Sequence, residues 1–363
     1  MIQAAKDWPF NVGMFVMPIH DPEKSLTLCI DEDLELAQVC DRLGFQEFWV
    51  GEHHSSTIEN IVMPEIFIAR ALGMTEQIRL GPAPVCLQYH HPAHVAGRLA
   101  FLDHVAKGRF NICFGPGAIP TDMEMFGVDP KDAGARVAES IDIILQLWSQ
   151  EPPYSAKGQF WNVDISQNID LEMGMGPLPK PFQEPHPPIS IPSISPKSQG
   201  VAKAAARGFA LFSHHMVSTE VLKSQWATYQ AGAEEGGRTA TSSDWRVSRN
   251  IYVAETTAEA RALAQKNSMG KCIEYILELT RRGPGVDMWK RNAEQDSSDV
   301  NIDYFMDEVI IAGDPDEVAR QIRNLRSDIG DFGTLVLTAH DWDDRERWIK
   351  CLELFAQEVM PQV

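Results

Sequence analysis

The chain has no CxxC pair, no HxH or HExxH spacing, and no glycine-rich turn after its first strand pattern. Each absence removes a class of function. The six cysteines (Cys29, Cys40, Cys86, Cys113, Cys272, Cys351) are scattered, which argues against a zinc site or a thioredoxin-like motif. A chain of 363 residues needs no disulfide framework. Histidines adjoin three times, at His53–His54, His90–His91 and His214–His215. Neighbours on a strand point to opposite faces, so such a pair seldom gives one ion two ligands. No metal site is expected, and a barrel metal hydrolase ranks last among the readings.

Positive charge is also short. Lys and Arg number 32 against 51 Asp and Glu, a formal net charge of −19. General electrostatics therefore disfavours nucleic acid and anionic membranes as partners. No run is apolar for long enough to span a bilayer. The opening MIQAAKDWPF lacks the apolar core of a signal peptide. A reducing cytoplasm is the expected compartment.

What is present is an alternation of strand and helix patterns in a single large domain, residues 1–363. Strand patterns are expected at residues 11–19, 48–50, 80–87, 110–115, 189–194, 210–213, 245–253 and 334–338. Helical spacing follows each, for example at 31–43, 93–105, 136–149 and 221–235. Such alternation implies parallel strands with right-handed crossovers. Eight units in this length predict an α/β fold of the (β/α)₈ TIM-barrel type. A doubly wound sheet would carry a phosphate loop after strand one; Pro18, Ile19 and His20 stand there instead. Two insertions interrupt the pattern. Residues 151–188 are rich in Gly and Pro, with a small hairpin expected at 154–163. Residues 267–303 are polar and turn-rich, as lids often are. The stretch AGDPDEVARQI then reads as a capped helix, with Asp314 at the cap and Pro315 in the first turn.

Chemistry-bearing residues collect where strand patterns end. In EFWVGEHH, Trp49, Gly51 and His53 share one face. If that face is the interior, His53 reaches the open mouth, where an imidazole exchanges protons near neutral pH. The alternative is a histidine that merely caps a strand. Gly81-Pro82-Ala83-Pro84 is unusual for a buried strand, since proline removes a ladder donor. Either the strand breaks there, with a cis bond accessible at Pro84, or it starts after Pro84. Cys113 ends the run RFNIC, and burial as a small hydrophobe is the common fate of such a cysteine. Ser195-Pro196-Lys197-Ser198 opens a helix. Free N–H groups, two hydroxyls and a lysine there make either a phosphate seat or an ordinary capped start. His340 and Asp341 end the eighth strand, with their role open.

Three stretches carry a resemblance: GEHH, LGPAPVCLQYHHPAH and LDHVAKGRFNICFGPG occur in that order. With them come PLPKPFQEPHPPI, AGDPDEVARQI and the closing LELFAQEVMP. In wording and spacing the chain resembles the bacterial-luciferase-like flavin monooxygenases nearly end to end, and among them the diketocamphane and limonene monooxygenases. The resemblance implies a barrel, usually dimeric, that takes reduced FMN (FMNH2) from a separate NAD(P)H:flavin reductase. Reduced flavin and O2 would give a C4a-peroxide that oxygenates an apolar carbonyl or olefin, by Baeyer–Villiger insertion in the first instance. It implies that His53 manages protons, that Ala83 and Pro84 lie under the flavin with a cis bond between them, and that Cys113 sits near the reactive flavin carbon. Ser195 would bind the phosphate. Phe114 and Ile194 depart from the pattern, standing where luciferase has an arginine and a glutamate near the phosphate. Lys197 and Ser198 would then help hold the phosphate, and a weak grip on oxidised FMN follows. An F420-dependent oxidoreductase on the same fold and a non-enzymatic flavin-binding protein are the alternatives.

Overall fold

The computed structural model describes residues 8–17 and 19–363. Pro18 and the first seven residues, including most of the stretch read for a signal peptide, lie outside the described residues. The strands are β1 (Asn11–Val16), β2 (Glu47–Val50), β3 (Arg79–Pro82), β4 (Val85–Cys86), β5 (Ile112–Gly115), β6 (Tyr154–Lys157), β7 (Asn162–Ile165), β8 (Ile189–Ser193), β9 (Ala210–Ser213), β10 (Trp245–Arg249), β11 (Ile251–Val253), β12 (Ile311–Gly313) and β13 (Thr334–Thr338). The helices are α1 (Leu26–Leu43), α2 (Pro64–Leu72), α3 (Pro92–Ala106), α4 (Pro120–Met125), α5 (Ala133–Ser149), α6 (Gln199–Ala206), α7 (Thr219–Glu235), α8 (Thr257–Lys266), α9 (Ser268–Arg282), α10 (Ile302–Glu308), α11 (Pro315–Ile329) and α12 (Arg345–Leu354).

The main sheet runs β3-β2-β1-β13-β10-β9-β8-β5-β4, and its pairs are parallel. Strands β3 and β4 are two halves of one stave. Ala83 and Pro84 interrupt it, and the bond between them is cis. Pro84 has no N–H to give a neighbour, so the ladder must pause there. A bridge from Leu80 to Phe110 draws β3 toward the β5 segment, and the ring of eight staves closes. This is the expected (β/α)₈ barrel.

The period of two sorts the strand residues. Trp49, Ala83, Cys113, Phe212 and Val336, with Phe15, pack together in the interior. Nearer the strand starts, Arg246 grips Glu47 through two bonds of 2.8 and 2.7 Å, and Trp49 Nε1 donates to Glu47 at 3.0 Å. Two buried charges in bidentate register satisfy one another where water cannot. The alternate set, including Phe48, Leu80, Phe114, Leu211 and Leu335, joins the larger core between barrel and helices. Gly115 allows a close crossing of staves. A Cβ there would fall 2.8 Å from Pro84 and 3.0 Å from Pro192.

Several boundaries differ from the sequence reading. The helix expected to open within Ser195–Ser198 starts at Gln199, and Ser198, not Ser195, is its N-cap. Lys197 has φ of 53°, a left-handed setting incompatible with a first helical turn. The seventh strand divides at Asn250. Strand β10 stays in the barrel, whereas β11 pairs outside it with β12, a strand the periodicity did not reveal. The first insertion contains the expected hairpin, β6 with β7. The second is not a polar loop throughout. Its first part is the fifteen-residue helix α9, capped by Asn267 and burying Cys272, Ile273, Ile276 and Leu277. Asp314 caps α11 as expected, accepting from Glu317 N at 3.0 Å. Among the described residues, no helix is long and apolar enough to cross a membrane.

Candidate active site

Strand β2 delivers Glu52, His53 and His54 just beyond its last paired residue, Val50. The chain then folds back, and His53 N donates to Ile61 O at 3.0 Å. That turn brings Glu59 beside His53, with Nε2 and Oε2 2.9 Å apart. Tyr275 on α9 donates to the other oxygen of Glu59 at 3.0 Å. His53 Nδ1 is buried without a hydrogen-bond partner, its nearest carboxylate being Asp122 at 3.9 Å. Burial pushes the His53 pKa down, but the hydrogen bond and charge of Glu59, helped by Asp122, outweigh it and raise the value above the usual range. Buried Asp122 is itself occupied: it accepts from His54 N at 3.1 Å and from the Ser55 hydroxyl.

Glu52 organises the space behind. It accepts from His54 Nε2 at 2.7 Å, His90 Nε2 at 2.5 Å and Cys86 N at 3.0 Å. Burial opposes its ionisation, yet the two histidine bonds prevail and hold its carboxyl at about 2. Among the described residues, Glu52, His54 and His90 form a group able to surround a metal ion. Their geometry is that of hydrogen bonds instead. Arg98 reaches His90 Nδ1 at 3.4 Å, and a guanidinium can only donate, so the His90 hydrogen sits on Nε2, facing Glu52. Of the other histidines, His91 caps α3. His215, Asn250 and His340 form a buried chain of bonds at 2.9 and 3.0 Å. Asp341 receives Lys24 at 2.8 Å, so neither His340 nor Asp341 stands free.

The predicted flavin residues belong to consecutive staves. His53 follows β2, Ala83–Pro84 splits β3 from β4, Cys113 lies in β5, and Ser195 to Ser198 follow β8. Ala83 and Cys113 are part of the apolar floor. Cys113 is wholly buried, and burial pushes its thiol up to about 12, so it is neutral. Ser195 and Lys197 are exposed on the turn after β8, and the Ser198 side chain makes no capping bond. Phe114 points into the outer core, away from the barrel interior. A flat ring with an apolar body and polar edges suits this mouth. The floor is apolar, while His53 Nδ1 and Thr338 Oγ1 are buried polar atoms lacking partners at the ends of β2 and β13. A separate cavity of about 550 Å³, bordered by Arg291, Asp299, Asn301 and Glu308, includes none of these residues.

Glu59, Asp122 and Tyr275 were missed from sequence. None lies at a strand end or in a recognisable motif, and Glu59 and Tyr275 stand 216 positions apart. Only the folded barrel joins them.

Comparison with known proteins points to one family. The family model described as luciferase-like monooxygenase matches residues 10–331. The chain is 33% identical over 356 residues to 4-hydroxyprotoasukamycin monooxygenase of Streptomyces nodosus subsp. asukaensis, covering 97% of this chain and 92% of that one. It is 32% identical over 353 residues to limonene 1,2-monooxygenase of Rhodococcus erythropolis, covering 97% and 86%. The oxygenating constituent of 3,6-diketocamphane monooxygenase from Pseudomonas putida, a type II Baeyer–Villiger monooxygenase solved with FMN, superposes with a TM-score of 0.88 at 29% identity over 98% of both chains. The chain belongs to the luciferase-like monooxygenase family.

Proposed function

We propose that this protein is the oxygenase of a two-component flavin system. It takes reduced FMN from a separate NAD(P)H:flavin reductase, uses O2, and oxygenates an apolar carbonyl or olefin, by Baeyer–Villiger insertion before epoxidation or hydroxylation. The observation that carries this reading is that His53, Ala83–Pro84, Cys113 and the Ser195–Ser198 turn belong to consecutive staves. The likeness to an FMN-bound oxygenating constituent supports the choice of FMN. Reduced FMN would supply the electrons that activate O2.

The chain's own groups supply the rest. Ala83, Pro84 and Cys113 would support the flavin ring from below as a neutral, apolar surface. Ser195, Lys197 and Ser198 would hold the phosphate with hydroxyls, one cation and the free N–H groups at the start of α6. His53 would hold and return a proton at Nδ1. Helix α9, lying over Glu59, would help keep water out, which matters wherever a reactive oxygen species must not decay.

The test supplies the protein with a flavin reductase, NADH, FMN, ¹⁸O2 and a panel of cyclic ketones and terpenes. Label should enter one product and vanish without the reductase, and chemically reduced FMN should restore it. His53→Ala should lower turnover on the order of 10²–10⁴-fold, the usual weight of a positioned acid–base group. Oxidation of an alcohol with F420 in the absence of O2 would replace this reading with a hydride-transfer one.

A further inference from the structure

His53, Glu59 and Tyr275 form one hydrogen-bonded line drawn from three separate elements. The Glu59 main chain is fixed twice: it bridges Ile19, and its N–H donates to Ser56 Oγ at 2.9 Å. Its side chain is buried, and each carboxylate oxygen has one partner, Tyr275 Oη at 3.0 Å and His53 Nε2 at 2.9 Å. Burial first, then the neighbouring Glu59 charge, raises the Tyr275 pKa, so the phenol keeps its hydrogen and donates it. An ionised carboxylate only accepts. The hydrogen between His53 and Glu59 therefore rides on Nε2, which leaves Nδ1 of the neutral ring as a bare lone pair. That atom is buried and unbonded.

We infer that Glu59 and Tyr275 are positioning residues. Glu59 locks His53 in the Nε2–H tautomer so that Nδ1 exchanges the proton, and Tyr275 makes this setting depend on α9 lying against the barrel mouth. The inference rests on the reading of His53 as the proton handler. The ionisable groups around His53 are few. Asp122 is 3.9 Å from Nδ1 and engaged elsewhere, Glu52 is bound to His54 and His90, and Cys272, one turn before Tyr275 on α9, is buried with its pKa raised. Among the described residues, Glu59 is thus the one carboxylate hydrogen-bonded to the ring. Tyr275 draws part of its negative charge toward Oε1 and moderates its pull on the imidazolium.

The two contacts make opposite predictions for the same nucleus. Imidazole ¹⁵N spectra of the flavin-free protein, with His53→Gln identifying the signal among eleven histidines, should show a protonated Nε2 and a bare Nδ1 once the pH is above the His53 pKa. Glu59→Gln should lower the His53 pKa by about one unit and mix the tautomers, since a neighbouring opposite charge favours the charged ring. Tyr275→Phe should raise it by about half a unit for the converse reason. A merely structural contact would not split the two variants in sign. Thermal melts establish that each variant folds. If the Gln variant does not, Glu59→Asp takes its place and should still shift the pKa downward, by less. Shifts of one sign for both positions, or no shift, overturn the inference. The spectra need no flavin or oxygen, so a protein that gives these shifts yet oxygenates nothing contradicts the proposed function and leaves the tautomer assignment standing.

Discussion

Individual side chains around the mouth carry opposite pH signatures. Glu52 has a folded pKa of about 2, below its unfolded value. Its contribution to stability is present above the unfolded pKa near 4.5 and is lost as pH falls toward about 2. His53 runs the other way. Its folded pKa is raised, so its contribution is complete below the unfolded value and is lost as pH rises through the folded one. Glu52→Gln should destabilise the protein by about 3–5 kcal/mol at neutral pH, because it removes the charge that two histidines are oriented to meet. Chemical denaturation at pH 7 measures this. His53 was readable from sequence because strand alternation and its place after β2 fixed its side of the barrel. Its partners were not readable, since Glu59 sits in an irregular turn and Tyr275 on an insertion.

Among the elements, the division of the seventh strand at Asn250 creates the buried chain from His215 through Asn250 to His340. Burial pushes His340 down to about 3 and His214, beside His215, to about 4, and it also drives His215 well down. All three fold as neutral rings. Their unfolded forms gain protons below the ordinary histidine value near 6.5, so stability is lost as pH falls from there toward about 4. Melting temperatures taken across that range should drop. His340→Gln, which keeps a donor for Asn250 without a titrating ring, should flatten part of the decline. The eight staves were visible in sequence because apolar runs alternate with helical spacing and stop at glycine or proline. Helix α9 also left a trace, with Met269, Ile273, Ile276 and Thr280 recurring at helical intervals, but the polar residues that follow dominated the reading. The start of α6 turned on the backbone of Lys197, which residue type does not reveal.

For the molecule as a whole, the surface of the first three helices is unusually apolar. Leu28, Ile66, Phe101 and Val105 are exposed on α1, α2 and α3, with Ile66 at 66% and Phe101 at 68%. Exposed apolar side chains of this kind are what an association face would present, in keeping with the dimer that the family resemblance implies. Ile66→Lys combined with Phe101→Lys should convert a dimer to a monomer in light scattering while leaving the far-ultraviolet circular dichroism unchanged. The net charge of −19 resists nonspecific aggregation, so self-association through an apolar face would be selective.

The β11–β12 pair has an architectural consequence. It joins Ile251 to Ile311 and Val253 to Gly313, immediately before and after everything from α8 to α10, and Thr257 adds a bond of 2.7 Å to Asp314. Both roots of that roof are stitched together outside the barrel wall. The span between them therefore leaves and returns at a single fixed point, so that its roots are held without drawing on the ladder of the staves.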